Sequence, residues 1–335
     1  MLLLKYFSNK HLLILSFIIG LVLLSQSSLY SQEPENNLVA TFSIVARDPN
    51  TGELGIAVAS RFFAVGSVVP WAKANVGAVA TQSFANTTFG PNGLELLEKG
   101  KSPEEVLKSL LSNDTDPDRR QVGIVAADGK SVTYTGSKCI SWAGGRNGTN
   151  YAIQGNILTG ENVVAEMEKT FLKTEGTLAD RLYAALLAGD AQGGDSRGKQ
   201  SAAMLVVKEG AGYGGYNDRA IDIRVDDNPE PFKELGRLLQ YAQMNYSWNE
   251  AWTFYTQAKY AEALPLMERT AKLAPENPEV LFDLVLIQLA AGEKDKSLTT
   301  LEKAIKLNPK LKQQALSDPG LKSIQDDPKF KELVK

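Results

Sequence analysis

A threonine at the head of a β-strand can act as a nucleophile without histidine, provided its own α-amine is free to serve as the base. Such an amine titrates at about pH 7.7–8, close to working conditions. Thr41, which opens the run Thr41-Phe42-Ser43-Ile44-Val45-Ala46, occupies a position of this kind. Few other residues compete for the role. The single histidine, His11, falls in a stretch that reads as a removable leader, which excludes Ser-His-Asp and Cys-His mechanisms and imidazole-bound zinc from the mature protein. The single cysteine, Cys139, has no partner for an intrachain disulfide, and without a histidine beside it reads as a small buried hydrophobe.

Other polar residues suit binding. Arg61 and Arg197 are of the type that grips a substrate carboxylate with two parallel hydrogen bonds, although pairing with nearby acids explains them equally well. Asn86, after Phe84-Ala85, and Asn217, in Asn217-Asp218, read first as turn caps and second as substrate contacts. Asp218, Asp222, Asp226 and Asp227 could offer oxygen ligands to calcium. However, the alternation in Ile221-Asp222-Ile223-Arg224-Val225 is that of a half-buried strand, so neither a metal nor a cofactor is expected.

These residues need a scaffold, and the chain is large enough to build one. At 335 residues, 43% hydrophobic and 22% charged, it can bury a large core and divide into two domains. A net charge of −3 without a basic run leaves no footprint for nucleic acid. Residues 1–31 carry Lys5 and Lys10, then an apolar run over 12–24, then a small polar stretch ending at Ser31. That order is the signature of a secretory signal peptide, and thirteen apolar residues are short for a membrane span, which needs about 20. The expectation is an exported protein, periplasmic or secreted, with no stable membrane span once the leader is gone. Residues 32–40 are then a linker or propeptide in front of Thr41.

From residue 41 to 243 short β-rich runs alternate with helical patterns. Strands are expected over 40–46, 54–60, 76–83, 121–127, 131–135, 202–208 and 220–225. Asp48-Pro49-Asn50-Thr51-Gly52 and Ala127-Asp128-Gly129-Lys130 read as hairpin loops. Helices are expected over 103–112 behind Ser102, 162–173, 178–188 behind Thr177, and 231–243. Hairpins followed by helices and then more strands indicate an antiparallel α+β sandwich with helical flanks. After residue 244 the strand signal vanishes, and an offset of 34 residues aligns Leu264 with Leu298, Glu268 with Glu302, Lys272 with Lys306 and Pro275 with Pro309. This is the tetratricopeptide period, so 244–335 is read as an all-α helical-repeat domain that docks a protein partner. Residues 311–333 would supply a degenerate capping unit. The repeat segment is neutral, leaving −5 on residues 32–243.

Several longer motifs carry a resemblance. They are Thr41-Phe42-Ser43-Ile44-Val45-Ala46-Arg47-Asp48-Pro49, Ala57-Val58-Ala59-Ser60-Arg61-Phe62, Val69-Pro70-Trp71-Ala72-Lys73-Ala74 and Gly77-Ala78-Val79-Ala80-Thr81-Gln82. Gln154-Gly155-Asn156, Gly194-Asp195-Ser196-Arg197-Gly198-Lys199-Gln200-Ser201-Ala202 and Tyr213-Gly214-Gly215-Tyr216-Asn217-Asp218-Arg219 follow in order. Over about 40–240 the chain resembles the bacterial domain-of-unknown-function family 1028, grouped with the N-terminal-nucleophile hydrolases. The resemblance implies a four-layer αββα sandwich and hydrolysis of an amide bond, in a small peptide, an acyl-amino compound or a cell-wall fragment.

It also implies a division of roles. Counting Thr41 as the first residue, Lys73 is the thirty-third, where proteasome-type members keep a lysine that eases ionisation of the nucleophile. An exposed lysine at a strand end is the plain alternative. Asp195 and Ser201 would orient the α-amine, and Asn156 or a backbone N–H near Gly77 would serve an oxyanion hole. Catalysis requires the Ala40–Thr41 bond to be cut, because an acylated nitrogen cannot act as a base. If that bond stays intact, the alternative is a non-catalytic binding or scaffold protein that uses the sandwich cleft and the helical repeats.

Overall fold

Strand β1 (Thr41–Arg47) alternates two sets of side chains, and each set belongs to a different core. Phe42, Ile44 and Ala46 face outward onto helices, whereas Val45 faces inward between two sheets. The computed structural model describes residues 41–335. The leader, the linker or propeptide and Ala40 lie outside the described residues.

β1 pairs with β2 (Leu54–Ser60) through a hairpin in which Asp48 Oδ1 accepts the backbone N–H groups of Asn50 and Thr51 at 2.8 and 3.0 Å. The other strands are β3 (Pro70–Lys73), β4 (Gly77–Ser83), β5 (Arg120–Ala126), β6 (Ser131–Thr135), β7 (Gly144–Gly148), β8 (Tyr151–Asn156), β9 (Ser201–Val207) and β10 (Arg219–Val225). All the pairings are antiparallel. They form a six-stranded sheet in the order β10-β9-β2-β1-β8-β7 and a four-stranded sheet in the order β3-β4-β5-β6.

The two sheets face each other across Val45, Leu54, Ile56 and Val58 on one side and Ala78, Ala80 and Val125 on the other. Helices α1 (Phe89–Glu98) and α2 (Pro103–Ser112) cover the four-stranded sheet, with Phe89, Leu97, Val106 and Leu110 on Val79, Val122 and Ile124. Helices α3 (Asn162–Lys173) and α4 (Leu178–Ala191) cover the six-stranded sheet through Val163, Met167, Phe171, Leu182 and Leu186. The expected four-layer αββα sandwich is therefore present. Each fully buried large side chain in these layers contributes roughly 1.5–3 kcal/mol.

Both expected N-caps close reciprocal hydrogen bonds. Ser102 Oγ accepts from the Glu105 N–H at 3.3 Å while Glu105 Oε2 accepts from the Ser102 N–H at 2.8 Å, and Thr177 pairs with Asp180 in the same way. The sequence reading passed over β3, β7, β8 and α1. In α1, Gly90 interrupts the helical pattern for a packing reason: a Cβ there would stand 2.1 Å from Trp71 Cγ.

Helix α5 (Pro231–Thr256) runs well past the expected end at 243. Its first turns bury Phe232, Leu235 and Leu239 in the sandwich core, and its last turns begin the repeats. α6 (Tyr260–Leu273), α7 (Pro278–Ala290), α8 (Lys294–Leu307), α9 (Leu311–Ser317) and α10 (Pro328–Val334) follow. α6, α8 and α10 start at 260, 294 and 328, which repeats the 34-residue step once more than the sequence alignment used. Ser297, unusual beside Ala263 in the first copy, is buried with its Oγ donating to Val285 O at 3.0 Å.

Candidate functional site

The space between the sheets is apolar at one end and polar at the other. Register places Ser201, Ser60, Thr41 and Asn156 in one row across β9, β2, β1 and β8. All four are buried, and strand alternation turns them toward the opposite sheet. Thr41 Oγ1 donates to Ser60 Oγ at 3.2 Å.

Three glutamines knit this row to the facing strands. Gln82 of β4 donates from Nε2 to Thr41 O at 3.2 Å and to Gln121 Oε1 at 2.9 Å, and its Oε1 accepts from Ser43 Oγ at 2.6 Å. Gln154 of β8 donates to Ser43 Oγ at 2.6 Å. Gln121 of β5 donates to Gly155 O at 2.7 Å and Thr135 Oγ1 at 2.9 Å, and accepts from Asn156 Nδ2 at 2.9 Å. Among the described residues bonded to one another here, each contributes a neutral hydroxyl or amide.

The backbone is tight at the same end. Ser83 follows Gln82 with φ 68°, and Ile157 follows Asn156 with φ 53°. A β-branched residue in the left-handed region costs of order 1–3 kcal/mol and persists only where its surroundings impose it.

Asp195 stands beside the row and is fully engaged. Its Oδ2 accepts the Arg61 N–H at 2.9 Å, and Arg197 binds it with its backbone N–H at 2.9 Å, Nε at 3.1 Å and a second guanidinium nitrogen at 2.9 Å. Arg61 Nη1 in turn donates to Arg197 O at 2.6 Å. Ser201 Oγ donates to Phe62 O at 2.5 Å and accepts the Val65 N–H at 3.2 Å, so that hydroxyl fixes the 61–65 loop. A small crevice of about 40 Å³ reaches this region between Ser60, Asp195, Gly198, Lys199 and Phe232. It has room for water, not for a peptide.

The structure brings together Thr41, Asn156, Ser201, Asp195, Arg61 and Arg197. It does not bring Lys73 to them. Lys73 pairs with Gly77, five residues from Gln82 along β4 and so about 16 Å away at the other end of the sheet. Its Nζ binds Glu98 Oε1 at 2.5 Å, and the side chain is 47% exposed. The counted position failed here because β3 begins at the site end, with Pro70 opposite Ala80, and runs away from it, so that Lys73 stands at the far turn of the β3–β4 hairpin. Asn86 caps the approach to α1, with Oδ1 accepting the Thr88 N–H at 3.1 Å and Nδ2 donating to Asp114 Oδ2 at 2.7 Å. Asn217 closes its own loop by accepting the Arg219 N–H at 2.9 Å. Burial pushes the Cys139 thiol up, away from thiolate chemistry. Asp222 and Asp226 pair with Arg219 and Arg224.

Sequence reasoning missed Ser43, Ser60, Gln82, Gln121 and Gln154. The available signal was polar residues at the inward positions of otherwise apolar strands, visible in Thr41-Phe42-Ser43 and in Ala80-Thr81-Gln82.

Comparison with known proteins matches residues 41–235 to a family described as a family of unknown function, DUF1028, and residues 254–317 to the tetratricopeptide repeat. The crystal structure of a protein from Silicibacter pomeroyi, assigned to the DUF1028 model, is 31% identical with a TM-score of 0.56, covering 61% of this chain and 89% of that one. No curated protein matches the chain.

Proposed function

The chain belongs to the DUF1028 family, and from that premise we propose that it is an exported hydrolase of amide (C–N) bonds in which Thr41 is the nucleophile. The observation that carries the proposal is the placement of the Thr41 hydroxyl on a central strand, turned inward between two sheets in the row Ser201, Ser60, Thr41 and Asn156.

In the proposed reaction, release of the Thr41 α-amine by cleavage after Ala40 supplies the base. The amine takes the Oγ1 proton, and the oxygen attacks the amide carbon. The resulting oxyanion is met by amide donors at the strand ends, of which Asn156 is the nearest by register. Collapse expels the amine, which takes the proton back, and water hydrolyses the Thr41 ester. Asp195 acts as a positioning residue: it binds the Arg197 guanidinium and the Arg61 backbone N–H, and so holds Arg61 at the rim, where its guanidinium suits a substrate carboxylate. Small peptides and acyl-amino compounds fit this chemistry.

Export follows from the leader composition, and among the described residues no helix is long and apolar enough to cross a membrane. The tetratricopeptide repeats suit a protein partner. A second reading, a binding protein without chemistry, draws on the distance of Lys73 from Thr41 and on the small size of the crevice.

The test is intact mass and N-terminal sequencing of protein from an exporting native host, followed by an amide panel against a Thr41→Ala control. An N-terminus at Thr41 with turnover lost in the variant supports the hydrolase. An N-terminus at Gln32 in every molecule sinks it and favours the binding reading.

A further inference from the structure

The three tyrosines that stand exposed among the described residues, Tyr213 at 76%, Tyr216 at 90% and Tyr241 at 55%, gather on one side of the molecule, far along the chain from Thr41. Two lie on the loop between β9 and β10, and the third lies on α5. Together with the helix face that Tyr241 begins, this loop borders an open crevice of about 300 Å³ walled by Tyr213, Tyr241, Asn245 and Asn249, with the Arg219–Asp222 ion pair of β10 alongside. That volume sits at the lower end of small-ligand sites, roughly 300–1,000 Å³.

The loop is built to hold its rings out. Lys208 N–H bonds Asp218 O at 2.9 Å, Gly212 N–H bonds Asn217 O at 2.8 Å, Tyr216 N–H bonds Tyr213 O at 3.2 Å, and the Asn217 and Asp218 side chains cap the turn. Gly214 and Gly215 take φ of 62° and 78°, which side chains rarely adopt. A Cβ at Gly212 would stand 1.9 Å from Asn217 Oδ1. A rigid loop presents aromatic surface with little entropy left to lose on binding.

The helix supplies the complementary polar groups. Tyr241, Asn245 and Asn249 are spaced four apart and share one face of α5. Neither asparagine side-chain amide makes a hydrogen bond to another described residue, so each keeps its donors and acceptor for a ligand. A pyranose ring has an apolar C–H face and a rim of vicinal hydroxyls. Aromatic faces match the first and planar amides the second.

We propose that this crevice binds a saccharide, with Tyr213 and Tyr241 stacking on its ring and Asn245 and Asn249 holding its hydroxyls. The site is independent of the Thr41 chemistry and persists in a Thr41→Ala protein. The test titrates the full chain with glucose, N-acetylglucosamine and β-1,4-linked tetramers of each, following side-chain amide NMR signals and intrinsic fluorescence. The expected result is saturable binding that moves the Asn245 and Asn249 amide signals. Affinity should fall about tenfold in Tyr213→Ala, return in Tyr213→Phe, and stay unchanged in Thr41→Ala. Absence of shifts with all four saccharides overturns the proposal. So does binding that survives Tyr213→Ala and Asn249→Ala together, or a protein partner that covers this loop while no saccharide binds.

Discussion

The Arg61 backbone N–H donates to Asp195 Oδ2 at 2.9 Å, joining residues 134 apart in sequence. With Arg197 on the same carboxylate, one buried side chain ties the end of β2 to the loop that enters β9. Asp195→Ala leaves these donors unsatisfied and should destabilise the fold by about 2–4 kcal/mol in denaturant unfolding. Asp195→Asn keeps one acceptor and should cost less. Equal stability of Asp195→Ala and wild type would show that the contact is not structural.

Gly123 lies directly beneath the glutamine network. A Cβ there would stand 2.1 Å from Gln154 Oε1, and Gln154 cannot retreat without breaking its 2.6 Å bond to Ser43. Gly123→Ala should destabilise by about 1–3 kcal/mol, and any turnover should fall with it. Gly160→Ala, with open space around its Cβ and, like Gly123, no positive φ, is the control and should change stability little.

Asp283 makes a pH prediction. Its Oδ2 accepts the indole N–H groups of both Trp248 and Trp252 at 2.8 Å, yet burial pushes its carboxyl up, and Glu279 and Asp318 reinforce the shift. A raised folded-state value means that the native state holds the extra proton. Its stabilising contribution is therefore complete below the ordinary carboxylate range and declines as pH rises through the shifted value. Asp283→Asn retains an oxygen for the two indoles and removes the titration. Across about pH 3 to 7, wild-type stability should fall relative to that variant, which should be at least as stable at neutral pH. Parallel pH profiles would refute the assignment.

Thr41 itself separates chemistry from binding. Thr41→Ala should reduce amide hydrolysis by about 10³-fold or more, with Thr41→Ser retaining a measurable fraction. Both variants should unfold near wild type, because the hydroxyl bond to Ser60 is worth only about 1 kcal/mol. Undiminished turnover in Thr41→Ala would place the reaction elsewhere.

Much of this was legible in residue order, because local signals decided it. Ser102 and Thr177 announced their helices through capping chemistry, Asp48 and Gly52 their hairpin, and the 34-residue step its repeats. β7 and β8 were not legible, since Gly144-Gly145-Arg146-Asn147-Gly148 has no strand propensity and is held by pairing with Tyr151–Asn156. The polar network was hidden for a related reason. Gln82, Gln121 and Gln154 are distant in sequence and meet only when two sheets face each other. Lys73 shows the reverse error, a spacing that matched while the path of the chain carried the residue elsewhere.

Helix α5 is one unbroken rod of 26 residues, about 39 Å long. At its foot Phe232 stacks on Phe42 with ring centroids 6.2 Å apart, immediately next to Thr41, and Gln243 grips the Thr177–Asp180 cap at mid-length. Its head carries the repeats, with Ser247 Oγ bonded to Leu266 O at 2.7 Å. No hinge separates the two, so the repeats are a lever arm rather than a tethered passenger. A partner that tilts them must either bend the rod or rock the aromatic pair on which the first strand rests.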